Sequence, residues 1–203
     1  MTMDIQPQQE RSLVILKPDT IQRSLVGEVI KRFEQAGLKI TAMKMVQAKE
    51  QQLLDHYNKD DEWYLRKGEG IVENLKSRGV EVDREPIEYG KDIIRVLVEY
   101  MTAGPVVALV VQGNQAVNVV MKLVGSTEPS TADIGTIRGD YTVDSYTHAN
   151  VENRGVRNLI HCSDSVDAAE REIGLWFDET EIHKYTTAQE RIMYDVNLDG
   201  KPD

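Results

Sequence analysis

Five side chains of this 203-residue sequence have the types needed to move a phosphoryl group: Lys17, Arg138, Asn158, His161 and Glu172. Two cations and an amide can hold phosphate oxygens, and charge-assisted bonds of that kind are the strong ones. A neutral imidazole is a competent nucleophile, and a carboxylate on one ring nitrogen fixes the tautomer and frees the other. Glu172 is the candidate for that orienting role. Each residue alone also has an ordinary reading: Lys17 and Arg138 as solvated charges, Asn158 as a turn residue, His161 as a packed strand-end histidine, Glu172 as a surface glutamate. What separates the two readings is whether the fold brings all five together.

The elements that must do this are readable in outline. Residues 12–16, SLVIL, form an apolar run expected to be a central strand, stopped at Lys17-Pro18-Asp19 because proline cannot serve a central ladder and Asp19 suits a helix N-cap. A helix follows over 20–36, with Val26, Val29, Ile30 and Phe33 at helical spacing and Gly37 as its stop. LKITAMKMV (38–46) is a second strand, EQQLLDHY (50–57) a short helix, and VVALVVQG (106–113) a buried strand. A helix over 115–124 ends at Gly125, and a long loop, 126–140, carries Arg138. NLIH (158–161) is the last strand, and 165–177 an amphipathic helix with Val166, Ala169, Ile173 and Phe177 on one face. The segment 58–95 is charged, glycine-rich and short of apolar periodicity, apart from a possible helix at 68–77; it looks like an excursion from the core, with order resuming at Ile94–Met101. This order predicts an α/β (α+β) ferredoxin-like sandwich: a four-stranded antiparallel sheet with helices on one face, in a single domain over 1–203.

Composition narrows the function. A net charge of −10, with acidic residues spread along the chain, disfavours binding a nucleic-acid polymer but leaves room for a small phosphorylated ligand held by local cations. No segment approaches the ~20 apolar residues needed to span a bilayer, and the start, MTMDIQPQQE, has no signal-peptide pattern. Cys162 is the only cysteine, so no internal disulfide can form and a cytoplasmic location is expected.

The elements LVILKPD (13–19), GTIRGD (135–140) and RNLIHCSDSVDAAEREI (157–173) resemble the nucleoside diphosphate kinase family. The resemblance implies a ping-pong enzyme in which the γ-phosphoryl of a nucleoside triphosphate passes to His161 and then to a nucleoside diphosphate. It implies that Glu172 bonds the far nitrogen of His161, that Ser163 supports Glu172, and that Tyr57, after His56, stands near the nucleophile. Lys17, Thr127, Arg138 and Asn158 would bind the nucleotide, Mg2+ would arrive on its phosphates with few or no protein ligands, and the chain would form a homo-oligomer, a hexamer or tetramer. A silent nucleotide-binding module is the rival reading, and the retained histidine–glutamate pair argues against it. The departures are specific. Met121 stands where the family has an arginine, with Lys122 beside it. The excursion 58–95 replaces a short nucleotide-flanking hairpin, leaving Trp63 and Tyr64 as candidates for the base clamp. Residues 145–155 are a further insertion. Cys162 replaces a glycine and is expected to point away from His161 as a small buried side chain. The tail 195–203, DVNLDGKPD, has Asp195, Asn197, Asp199 and Gly200 at the spacing that opens a calcium loop, and is expected to be a loose polar end.

Overall fold

In a computed structural model of the chain, which describes residues 9–194, the first apolar run is β1, Gln9–Leu16, and its last five residues are all buried. A strand buried on both alternations must lie inside a sheet covered on both sides. β1 is flanked by β3 (Val106–Asn114) and β4 (Ile160–Cys162), and β2 (Lys39–Val46) adds beyond β3, giving the order β2-β3-β1-β4 with every pairing antiparallel. The connection from β1 to β2 therefore passes over β3, and that from β3 to β4 passes over β1. These interlocked crossovers are the ferredoxin-like arrangement expected from the sequence.

The helices are α1 (Pro18–Gln22), α2 (Val26–Gln35), α3 (Glu50–Tyr57), α4 (Asp61–Ser77), α5 (Pro86–Thr102), α6 (Ala116–Val124), α7 (Ile137–Tyr141), α8 (Tyr146–Val151), α9 (Val166–Trp176) and α10 (Ala188–Met193). One face of the sheet, with Val14, Leu16, Val107, Leu109 and Val111, packs on Val29 and Phe33 of α2 and Val120 and Val124 of α6. The other, with Leu13, Ile15, Ala108 and Val110, packs on Leu53 of α3, Ile94, Val98 and Met101 of α5, and Ile173 and Trp176 of α9. Helices on one face only is thus corrected to helices on both. The central strands are apolar on both alternations, so an open second face would leave Leu13, Ile15, Ala108 and Val110 in water.

The excursion is also corrected. Its charged, glycine-rich sequence forms a helical hairpin: α4, N-capped by Asp60, which accepts from Trp63 N at 2.8 Å, and α5, whose Ile94 and Val98 enter the core. The glycines mark a close crossing rather than loops. A Cβ on Gly68 would sit 1.6 Å from the Pro86 carbonyl oxygen, and one on Gly90 2.0 Å from that of Tyr64. The single helix expected over 20–36 is broken into α1 and α2 at Ser24, whose φ is +57°. The segment 145–155 is folded as well. It contains α8 and is pinned at its base, where Asp144 accepts from Arg154 Nη1 and Nη2 (2.6 and 3.1 Å) and from Arg157 N (2.6 Å).

Candidate active site

The site begins with a strained turn. Leu159 has φ +67°, the left-handed region, and Ile160 N donates to Asn158 O at 2.7 Å, so residues 158–160 form a γ-turn and the strand starts only at Ile160. A branched residue there costs about 1–3 kcal/mol and persists only where its surroundings dictate it. Here they do: the Leu159 side chain is fully buried, its N–H donates to Asp19 Oδ2 (3.2 Å), and its carbonyl accepts from Lys17 N (2.8 Å) and from the Thr20 hydroxyl. The ladder between β1 and β4 pairs Ile15 with His161 and Leu16 with Ile160, which carries Lys17 to the flank of Leu159. Strand end, turn and register together set Lys17, Asn158 and His161 side by side.

Two buried cations line this corner. Lys17 Nζ donates to Asn158 Oδ1 at 2.7 Å, and Asn158 Nδ2 donates to the Thr127 carbonyl at 2.9 Å, which fixes the amide's orientation. Arg138, on α7, spends its guanidinium on three backbone carbonyls: Nε to Asn158 (3.1 Å), Nη1 to Gly125 (2.9 Å) and Nη2 to Ile160 (2.6 Å). Among the described residues neither cation is hydrogen-bonded to a carboxylate, so positive charge is left in a desolvated corner, which favours an anion. Burial, reinforced by the Arg138 charge, lowers Lys17 to about 7; burial lowers Arg138 as well. The Tyr100 ring is approached by two cations, Lys17 Nζ at 5.2 Å from its centroid and the Arg157 guanidinium at 4.5 Å.

Glu172, on α9, completes the constellation. Its Oε2 accepts from His161 Nε2 at 3.0 Å and from the Ser163 hydroxyl at 2.7 Å. A carboxylate on Nε2 places the proton there and leaves Nδ1 with a free lone pair. Burial works against ionising Glu172, but the bonds from His161 and Ser163 outweigh it and hold the carboxyl at about 2. His161 keeps 24% of its side chain exposed, enough for a substrate to reach it. Tyr57 lies nearby, its hydroxyl pushed above the ordinary range by burial and then by the Glu172 charge, so it stays protonated.

The structure thus brings Lys17, Arg138, Asn158, His161, Ser163 and Glu172 together. Thr127 joins them through its carbonyl, its side chain exposed on the rim. Met121 sits half-buried in the last turn of α6, which closes regularly through Gly125 N to Met121 O (3.0 Å), and Lys122 is exposed. Trp63 and Tyr64 pack against each other, ring centroids 5.6 Å apart, and against the core. Among the described residues no hydrogen bond or ring contact joins either to Lys17, Asn158 or His161. A separate cavity of 510 Å³, lined by Tyr64, Leu54 and Lys91 among others, shares no residue with the site. Cys162 pairs with Val14 and packs in the layer opposite His161, its thiol pushed up to about 11 by burial. The calcium-like run 195–203 lies outside the described residues. Sequence reasoning assigned no role to Leu159, to Asp19 beyond a cap, or to His56, whose ring lies 4.5 Å from that of His161. For His56 the available signal was its place beside Tyr57 at the end of a short helix.

The family model for nucleoside diphosphate kinase matches residues 10–67 and 87–182. A nucleoside diphosphate kinase of Pyrobaculum aerophilum is 48% identical over 178 residues, covering 85% of this chain and 97% of the relative. One from Methanothermobacter thermautotrophicus is 38% identical over 186 residues, covering 92% and 99%. Among solved structures, the crystal structure of an NDP kinase from Pyrobaculum aerophilum superposes with a TM-score of 0.81 at 46% identity, covering 87% of this chain and 100% of that one. A transition-state mimic of the nucleoside-diphosphate kinase from Borrelia burgdorferi, with bound vanadate and ADP, gives 0.72 at 33% identity, covering 90% and 95%. With the motifs, the sheet order and the His161–Glu172 pair in place, the chain belongs to the nucleoside diphosphate kinase family.

Proposed function

We propose that the protein carries the γ-phosphoryl of a nucleoside triphosphate to a nucleoside diphosphate by way of a phosphohistidine at His161, within a single domain over 1–203 with insertions at 58–95 and 145–155. The observation that carries this reading is the 3.0 Å bond between His161 Nε2 and Glu172, which leaves Nδ1 as the nucleophile. Nδ1 attacks the γ-phosphorus, the N–P bond forms, and the bond from phosphorus to the β,γ-bridging oxygen breaks, releasing the diphosphate. The ring becomes cationic as it gives up its lone pair, and Glu172, ionised and held by Ser163, stabilises that charge through Nε2–H. The diphosphate of a second nucleotide then attacks the same phosphorus and the N–P electrons return to the ring. Lys17 and Arg138 offset the phosphate charge, Asn158 orients Lys17 and the phosphate, the Thr127 loop borders the entrance, and Tyr57 packs the nucleophile as a protonated phenol.

Magnesium enters as part of the substrate. Among the described residues the single group of three metal-binding donors is His56, His161 and Glu172. It is already committed to orienting the nucleophile, and among the described residues there is no other such group. An oxygen-seeking ion such as Mg2+ would therefore be held by the nucleotide phosphates, where it neutralises charge. Among the described residues no helix is long and apolar enough to cross a membrane, and the lone cysteine fits a cytoplasmic setting. A homo-oligomer, tetramer or hexamer, is supported by the edge strand β2, where Met43 and Met45 are exposed. Initial rates with ATP and GDP varied together test the scheme. A phosphoenzyme gives parallel double-reciprocal lines, and lines that intersect would mean direct transfer in a ternary complex.

A further inference from the structure

A hydrogen bond at one ring nitrogen does not fix the plane of an imidazole. His161 is anchored by Glu172 at Nε2, yet it could still swing about that point and turn Nδ1 away from the phosphorus. A second imidazole packs directly against this ring. The His56 ring lies 4.5 Å from that of His161 at an interplanar angle of 77°, edge to face, and His56 is 2% exposed.

We propose that His56 is a positioning residue for phosphoryl transfer, a fixed wall that holds the plane of the His161 ring so that Nδ1 stays in line with the incoming phosphorus. The wall is itself held. Trp176 Nε1 donates to His56 Nδ1 at 3.3 Å, and the two rings meet at 90° with centroids 5.9 Å apart. An indole nitrogen only donates, so His56 Nδ1 must be the acceptor and the neutral ring carries its proton on Nε2. Arg171 donates to the His56 carbonyl at 3.1 Å and to that of Asp55 at 3.2 Å, which ties the end of α3 to α9. Arg171, Glu172 and Trp176 therefore grip one corner together, Glu172 holding the nucleophile and the other two its neighbour. Burial, with the charge of His161 behind it, takes His56 down to about 3, so it stays neutral and neither repels the cationic intermediate nor competes for Glu172.

The proposal rests on the phosphohistidine reading, and the test separates the two. His56→Gln keeps an acceptor for Trp176 and removes the ring; His56→Phe keeps a ring and removes the acceptor. Phosphorylation of His161 by Mg·ATP is followed in a single turnover by rapid quench, with ADP affinity measured by calorimetry. The expected result is a loss of about ten- to a hundredfold in phosphorylation rate for His56→Gln, the scale on which small misplacements act. ADP affinity should stay within about twofold, and His56→Phe should keep most of the rate while melting earlier because the Trp176 donor is left unpaired. A wild-type rate in His56→Gln, an equal loss in His56→Phe, or a matching loss of ADP affinity would overturn the proposal. Failure of the unsubstituted protein to form any phosphoenzyme would instead remove the reading on which it rests, and the proposal with it.

Discussion

Glu172 is ionised beside a ring that must become cationic, so its charge matters more than its hydrogen bond. Glu172→Gln keeps the bond and removes the charge, and should slow phosphorylation by about ten- to a thousandfold in single-turnover assays. The same carboxyl links stability to pH. Its folded value, about 2, lies below the ordinary 4.5, so its contribution is complete above about pH 4.5 and is lost as pH falls towards 2. The lowered value of Lys17 matters for ligand binding, because its charged form is the protonated one. Lowered to about 7, it is a cation below that pH and neutral above it. Nucleotide affinity should therefore fall as pH rises through 7, by up to ~tenfold per unit, and binding at pH 8 should take up a proton as the phosphates restore the charge. Calorimetry in buffers of different ionisation enthalpy reads this uptake, and Lys17→Arg should abolish it. Met121 is half-buried in the last turn of a regular α6. Met121→Arg should tighten ADP by about 1–2 kcal/mol through a charge-assisted bond, while exposed Lys122→Ala changes little. A tenfold weakening of ADP by Lys122→Ala, with no change on Met121→Arg, would mean that the helix end rearranges when nucleotide binds.

At the scale of elements, the α4–α5 hairpin shows where sequence reading runs out. Gly68 and Gly70 lie two residues apart on α4, and nothing in the sequence distinguishes them. In the fold, a Cβ at Gly68 would meet the Pro86 carbonyl oxygen at 1.6 Å, whereas one at Gly70 meets nothing within 4 Å. Gly68→Ala should cost about 2–3 kcal/mol by forcing the helices apart, lowering Tm by roughly 4–12 °C. Gly70→Ala should stabilise by about 0.5–1 kcal/mol, the ordinary gain of alanine over glycine within a helix. Differential scanning calorimetry of both variants checks the pair, and equal effects would mean that the crossing is not tight. The strands, the helices α2, α3, α6 and α9, and the motif residues were legible because hydrophobic period and side-chain chemistry are local signals. The second helical layer, the γ-turn at Leu159 and the wall at His56 were not, because each is imposed by residues distant in sequence: α5 and α9 across the sheet, Asp19 and Lys17 across β1, Trp176 across the core.

For the molecule as a whole, the sheet ends in an edge strand that a monomer leaves incompletely covered. The Ile40 carbonyl takes the Tyr185 hydroxyl at 2.6 Å and the Thr41 carbonyl takes His183 N at 2.8 Å, while Met43 and Met45 further along are 57% and 60% exposed. If copies of this chain associate through that edge, Met43→Lys combined with Met45→Lys should lower the mass measured by light scattering while leaving the circular dichroism of the fold intact. In the proposed reaction one nitrogen of one histidine carries the phosphoryl group between nucleotides. The most direct measurement is the position of the phosphate after brief exposure to Mg·ATP, by mass spectrometry of the peptide containing His161 and 31P–15N correlation on the intact protein. The expected result is an acid-labile, base-stable phosphate on Nδ1 of His161, discharged on addition of a nucleoside diphosphate, because Glu172 keeps Nε2 occupied. A phosphate on Nε2, on another residue, or none that a diphosphate can remove would contradict it.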